Sequence, residues 1–329
     1  MHPLPWPDPI HPGEVIVHTL AVPSPPDEEP LELSVMVTRG AHDGPTLLVF
    51  AGVHGDEYEG VRAIPELMQR AAAIIEHGRL IAVPVCNPPA FAAATRNSPV
   101  DGLNLARVFP GDAQGTLSQR IAHTLTTQLI ARSDFLIDFH SAGIVSSMPL
   151  LVGYSAADTP LGRRSAAAAV AFSAEVIWGH PHDPTAVGRT ISAAEELGVP
   201  WLYTEAAGGG RTLPEQVECF ITGALRVMHH LGMASTAPHA EPPRIHLLGA
   251  GNTDASIQAQ VAGYFIPTVK LLDRVEAGQI LGAIYTVTGM LLEQLVAPVA
   301  GRMVLVRGLP RVHAGEGLFL ISGEQPVTA

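Results

Sequence analysis

Apolar residues in this chain gather in short dense runs, separated by stretches with helical spacing. Thr46–Gly52 is a continuous apolar run closed by glycine, the pattern of a strand buried on both faces. Arg79–Pro84, Asp134–Phe139 and Val199–Thr204 read as further strands of this kind. Leu31–Thr38 alternates apolar and polar positions, as a strand with one covered face does. Glu14–Ala21 adds a strand to a proline-rich extended lead-in over residues 1–30. Between these runs, Tyr58–His77, Leu117–Ser133, Ser165–Ala174 and Gln216–Leu231 carry the spacing of helices. Strands alternating with helices predict an α/β/α sandwich around a mixed, largely parallel sheet.

The pattern changes at 234–244, where Pro238, Pro242 and Pro243 stand among small residues and indicate a linker. Beyond it, short β-rich runs are punctuated by Gly263, Gly278, Gly289, Gly301 and Gly315, and no long helical pattern remains. The expected organisation is a catalytic-sized domain over 1–233, a linker over 234–244 and a small all-β domain over 245–329.

Composition narrows the classes of function. The chain has 329 residues and is 47% hydrophobic, enough for a large core and about two domains. Its net charge of −12 argues against a nucleic-acid partner, whose phosphates need a basic face. The same charge disfavours an anionic membrane surface, and no run of about 18 uninterrupted apolar residues offers a membrane span. An anionic substrate must then be held by a few local arginines. Cys86 and Cys219 are too few for a disulfide framework and read as core thiols in a reducing compartment. The N-terminus lacks the basic and apolar regions of a signal peptide, so a cytoplasmic location is expected.

Against this charge-poor background one constellation stands out. Gly52-Val53-His54-Gly55-Asp56-Glu57 places a His and a Glu on a tight turn after an apolar strand. His140 follows another apolar strand. Two imidazoles and a carboxylate, with a fourth position left to water, form the ligand set of a catalytic zinc, whereas a structural zinc is closed by four protein ligands. The bland alternative is a helix N-terminus carrying Asp56 and Glu57 for dipole reasons, which leaves both histidines unexplained. Asp138 lies on the same strand face as His140 and can accept its second ring proton; capping of a nearby helix is the competing role.

Glu205 stands at the exit of the strand Val199–Thr204, just before Gly208-Gly209-Gly210, at the sheet edge where clefts form in open α/β folds. A carboxylate there suits a general base for water. The glycines are a poor phosphate cradle, since no Lys-Ser or Lys-Thr follows. Arg96 and Arg107 sit in a turn-rich loop, one placed to stabilise an oxyanion and the other to fork a carboxylate; surface solubility is their alternative role. Arg189 is a candidate for substrate selection. His180 and His182 suit an active-site loop better than a second metal site, and His229-His230 suits a helix C-terminus.

Taken in order, Gly52–Glu57, Asn87-Pro88, Arg96, Asp101–Gly111, Asp138–His140 and Glu205 with its glycines resemble the succinylglutamate desuccinylase/aspartoacylase family, a branch of the zinc carboxypeptidase fold. The resemblance spans about residues 30–232. It implies that His54, Glu57 and His140 bind one Zn²⁺ per subunit, that Arg96 polarises the scissile carbonyl and that Glu205 is the general base. It places Asn104 and Arg107 in the substrate loop. The family chemistry is hydrolysis of an N-acyl amino acid to a carboxylate and an amine. One position departs: the Asn that usually precedes the second arginine is Ala106 here, which changes the grip on a substrate carboxylate. With its β-rich tail the chain is most similar to the bacterial N-acyl-diaminobutyrate deacetylase-like branch. The tail resembles a biotinyl/lipoyl-type barrel-sandwich hybrid without the modifiable lysine, Lys270 being in the wrong context, and so suggests a lid or a homo-oligomer contact.

The combined expectation is a zinc-dependent amidohydrolase acting on a small N-acylated amino acid or related amide. Its rivals are a metallocarboxypeptidase or peptide amidase on the same metal site, and a non-catalytic binding or scaffold protein with a vestigial site.

Overall fold

The computed structural model describes residues 10–26 and 29–325. The start of the extended lead-in therefore lies outside the described residues. In chain order the strands and helices of the first part are β1 (Ile16–Val22), β2 (Leu31–Arg39), β3 (His42–Phe50), α1 (Glu59–Ala72), β4 (His77–Val83), α2 (Pro88–Ala93), α3 (Leu117–Gln128), β5 (Phe135–Phe139), β6 (Ser146–Ser147), β7 (Leu151–Ser155), α4 (Pro160–Phe172), β8 (Val176–His180), α5 (Thr190–Glu196), β9 (Trp201–Glu205) and α6 (Pro214–His230). The rest is all β: β10 (Ile245–Leu248), β11 (Ile257–Gln258), β12 (Gly263–Pro267), β13 (Arg274–Val275), β14 (Ile280–Tyr285), β15 (Leu291–Val296), β16 (Gly301–Arg307), β17 (Arg311–Val312) and β18 (Gly317–Gln325).

The main sheet runs β1-β2-β4-β3-β5-β9-β7-β8-β10-β18-β16-β13. β4, β3, β5 and β9 are mutually parallel. β7 turns antiparallel to β9, and β8 and β10 then run parallel to β7. The dense apolar runs earn their burial by alternation. In β3, Leu47 and Val49 face the core under α1, α4 and α6, whereas Leu48 and Phe50 face the opposite core under α3 and α5. The result is the α/β/α sandwich that the periodicity predicts.

Differences from the sequence reading have local causes. The helix expected to reach His77 ends at Ala72, and His77 already opens β4. β7, β8 and α5 carry too few apolar residues in too short a span to stand out. The proline-rich stretch 234–244 carries no helix or strand, but the strand that follows it, β10, extends the main sheet by pairing with β8. A second sheet, β15-β14-β12-β17, packs against β18 and β16 around Phe265, Leu281, Ile284, Met303 and Phe319. This is the small antiparallel β domain the glycine-punctuated tail predicts. No helix of the described residues is long and apolar enough to cross a membrane.

Candidate metal and catalytic site

Because β3, β5 and β9 are parallel neighbours, their C-terminal ends lie side by side. Phe50 registers with Asp138, and Phe139 with Thr204. The turn after β3, the residue after β5 and the last residue of β9 therefore meet at one sheet edge. They bring His54 and Glu57, His140, and Glu205 together from distant parts of the chain.

The turn is shaped by its glycines. Gly52 has a φ of +59°, and a Cβ on Gly55 would lie 2.0 Å from the backbone of Ala90 in α2. Only glycine lets the loop sit this close. Val53, His54, Asp56 and Glu57 are all buried as a consequence.

His54, Glu57 and His140 offer ligand atoms that all lie within 4.8 Å of one another, and they are the one such group among the described residues. The proton positions are set by their partners. Asn104 Oδ1 accepts from the backbone N–H of Ala106 at 2.9 Å, which fixes the amide's orientation. The same oxygen stands 3.0 Å from His54 Nε2, so Nε2–H donates to it. Burial and the Arg96 charge push the His54 imidazole down to about 4, so the ring is neutral and Nδ1 carries a lone pair. That nitrogen is buried, has no hydrogen bond, and faces Glu57 Oε1 at 2.7 Å. Two lone pairs this close, shut away from water, call for a cation between them.

Glu57 is buried, which alone would raise its pKa, but it lies well below the usual carboxylate range, and the protonated, hydrogen-bonded His140 ring lowers it. Its Oε2 meets His140 Nδ1 at 2.8 Å and accepts from the Ser141 N–H at 3.2 Å. His140 Nε2 is 2.9 Å from Asp138 Oδ2, which also accepts from the Thr190 hydroxyl. Burial lowers the His140 pKa, yet Asp138 and Glu57 overcome it and hold the ring's pKa well above the ordinary histidine value. With Nε2 bonded to Asp138, His140 would hold a metal through Nδ1 once that nitrogen's proton had left, the usual arrangement behind a ligating histidine. Nitrogen, nitrogen and carboxylate donors, two of them oriented from behind by Asn104 and Asp138, fit a zinc ion.

Glu205 stands beside this group with Oε2 buried and unbonded. Burial first, and the Glu57 charge second, push its carboxyl up to about 8. Arg96 Nη1 donates to Glu57 Oε1 at 3.0 Å, and its side chain remains 41% exposed, leaving other N–H groups free to reach a ligand. All of them line a cavity of about 530 Å³.

The remaining candidates fall differently. Asn104 sits behind His54 and is not part of the cavity wall. Arg107 and Arg189 do line the cavity, but each is held by the segment after β10: Arg107 Nε and Nη2 donate to Asp254 at 2.9 and 3.1 Å, and Arg189 Nη2 donates to Asn252 Oδ1 at 3.0 Å. Asn252 and Asp254 were invisible in the sequence, since an Asn-Thr-Asp turn entering a β domain carries no sign of a distant cleft. His180 makes no metal group; its Nδ1 bonds Gly249 O and its Nε2 the Tyr203 hydroxyl, both at 2.8 Å. His182 pairs with Glu195 at 3.3 Å, and His229 Nδ1 meets the Ala234 carbonyl beyond α6 at 2.9 Å.

Fold and donor set together define the zinc carboxypeptidase-like class of α/β proteins. Comparison with known proteins makes this specific. The succinylglutamate desuccinylase/aspartoacylase catalytic-domain model matches residues 43–231. The N-alpha-acetyl-L-2,4-diaminobutyric acid deacetylase of Halomonas elongata is 36% identical over 258 residues, covering 77% of this chain and 73% of that protein. The crystal structure of a succinylglutamate desuccinylase/aspartoacylase from Rhodobacter sphaeroides superposes with a TM-score of 0.84 at 30% identity, over 94% of this chain and 96% of that one. The product-bound ectoine utilization protein EutE (DoeB) from Ruegeria pomeroyi gives 0.85 at 27% identity, over 96% and 97%. The chain belongs to the succinylglutamate desuccinylase/aspartoacylase family.

Proposed function

We propose that this protein is a zinc-dependent deacylase that hydrolyses the amide bond of a small N-acyl amino acid. The observation that carries the reading is the pair of facing lone pairs on His54 Nδ1 and Glu57 Oε1, with Glu205 beside them, its Oε2 buried and without a hydrogen bond. The activity named for the Halomonas relative supports an N-acetyl diamino acid as substrate. Two free cysteines, Cys86 and Cys219, suit the reducing cytoplasm.

His54, Glu57 and His140 hold the ion. When bound there, zinc supplies Lewis-acid polarisation and makes water more acidic. Glu205 accepts the proton of the attacking water and returns it to the leaving amine. Arg96, anchored on Glu57, donates to the oxygen that gains negative charge as the carbonyl is attacked. Asp138 and Asn104 keep the two imidazoles aimed. The 530 Å³ cavity fits an amino-acid-sized amide.

The test is zinc quantification on purified protein together with a deacylation screen of N-acetyl, N-succinyl and N-formyl amino acids. About one zinc per chain and release of free amino acid are expected, with loss of both in His54→Ala. A zinc-loaded protein that instead trims C-terminal residues from longer peptides would make it a carboxypeptidase.

A further inference from the structure

The segment downstream of β10 reaches back over the cavity and is seated there by several contacts. Gly249 O accepts from His180 Nδ1 at 2.8 Å. Gly251 lies so close to the same ring that a Cβ would come within 2.4 Å of His180 Cε1. Asn252 Oδ1 caps the Asp254 N–H at 3.1 Å while accepting from Arg189. Asp254 is thus fixed in place, yet its side chain is 61% exposed and lines the cavity.

Arg107 has five N–H donors. Nε and one on Nη2 go to Asp254, and one on Nη1 goes to the Ala106 carbonyl at 2.8 Å. Two donors are left, one on each terminal nitrogen, enough to grip a single carboxylate end-on. Position 106 is Ala, so no side-chain amide helps with that grip. Asp254 also lies close enough to Arg189 and Arg96 to feel their charges. Without it, Arg107 would lose the carboxylate that balances its charge, and with Arg189 beside it would offer an anionic substrate uncompensated positive charge. With it, a second carboxylate meets a like charge, and an ammonium finds a carboxylate beside the group that holds its own carboxylate.

We propose that Asp254 is the specificity-determining residue of this site: paired with Arg107, it selects N-acyl amino acids that carry a free ammonium as well as a carboxylate, and turns away those with a second carboxylate. This rests on the deacylase reading above.

The experiment compares zinc-loaded wild type with Asp254→Asn and Asp254→Ala on N-acetyl-2,4-diaminobutyrate, N-acetyl-2-aminobutyrate and N-acetylaspartate. Calorimetric binding of free 2,4-diaminobutyrate and of aspartate runs alongside. Loss of one charge-assisted contact is expected to raise KM for the diamino substrate on the order of tenfold with kcat little changed. The neutral analogue should move least, and N-acetylaspartate should gain. Calorimetry should show diaminobutyrate binding weakened and aspartate binding strengthened. An equal change on all three substrates, or an unchanged charge preference, overturns the role of Asp254. A wild type inactive on all three and throughout the N-acetyl, N-succinyl and N-formyl screen overturns the deacylase reading instead. In that case calorimetry still decides on Asp254, since diaminobutyrate binding that Asp254→Asn leaves unchanged overturns it.

Discussion

Glu205 holds its carboxylate where burial and a neighbouring charge both penalise ionisation, and the sign of that effect can be measured. With a folded pKa near 8 and an ordinary value of 4.5 when unfolded, the native metal-free protein binds the extra proton between those values. Its stability therefore falls as pH rises from about 4.5 to about 8. Glu205→Gln removes the charge, so the metal-free variant should melt higher than wild type at pH 7, with the difference shrinking towards pH 5. In the zinc-loaded enzyme the same substitution should cost about 10²–10⁴ in kcat. Full activity in a folded, zinc-loaded Glu205→Gln would end the general-base role. His180 behaves oppositely in sign. Burial pushes it down to about 4, so it folds neutral, and the unfolded chain takes up a proton first as pH falls below 6.5. Stability is then lost between pH 6.5 and about 4, by at most about 3 kcal/mol. Chemical denaturation of wild type and His180→Gln across that range checks it, since the wild type should lose more.

At the scale of elements, the site exists because parallel strands end together, and its tightest joint is the turn between β3 and α1. Gly55→Ala puts a methyl group 2.0 Å from the Ala90 backbone, which cannot yield as a flexible side chain would. The turn must move, and His54 and Glu57 move with it. Loss of stoichiometric zinc together with a lower Tm is expected; a variant with native zinc content would show that α2 gives way instead. This is also the scale that decides how much could be read in the sequence. Strong patterns were legible: the buried runs of β3, β5 and β9, the long helices α1, α3 and α6, and the His54, Glu57 and His140 side chains that follow the ends of β3 and β5 and come together in the fold. β7 and β8 were missed because their short spans, Leu151–Ser155 and Val176–His180, include glycine, serine and histidine. Asp254 was missed for a different reason: its partnership with Arg107 spans 147 residues and depends on how the β domain docks, which no local pattern encodes.

For the molecule as a whole, the division at 234–244 suggests a catalytic unit that stands alone, but the sheet does not stop there. β10 pairs with β8 from Ile245↔Val176 to Leu248↔Gly179. Above that edge, Val304, Leu305 and Leu320 of β16 and β18 share one buried cluster with Met148, Leu151, Val176 and Trp178. A chain cut at 233 would leave β8 as a naked edge strand, with unpaired backbone groups and an apolar face that invites association. Each of those four side chains contributes about 2 kcal/mol through burial. Losing their cover is comparable with the roughly 5–15 kcal/mol that holds an ordinary domain together. Cutting the chain also removes Asn252 and Asp254 from the cavity. The expected outcome for residues 1–233 is low soluble yield and a broad, early melt by circular dichroism, with weak zinc retention in whatever remains soluble. A fragment that melts cooperatively near the full-length Tm would show instead that the β domain is an accessory, joined to the sheet without supporting it.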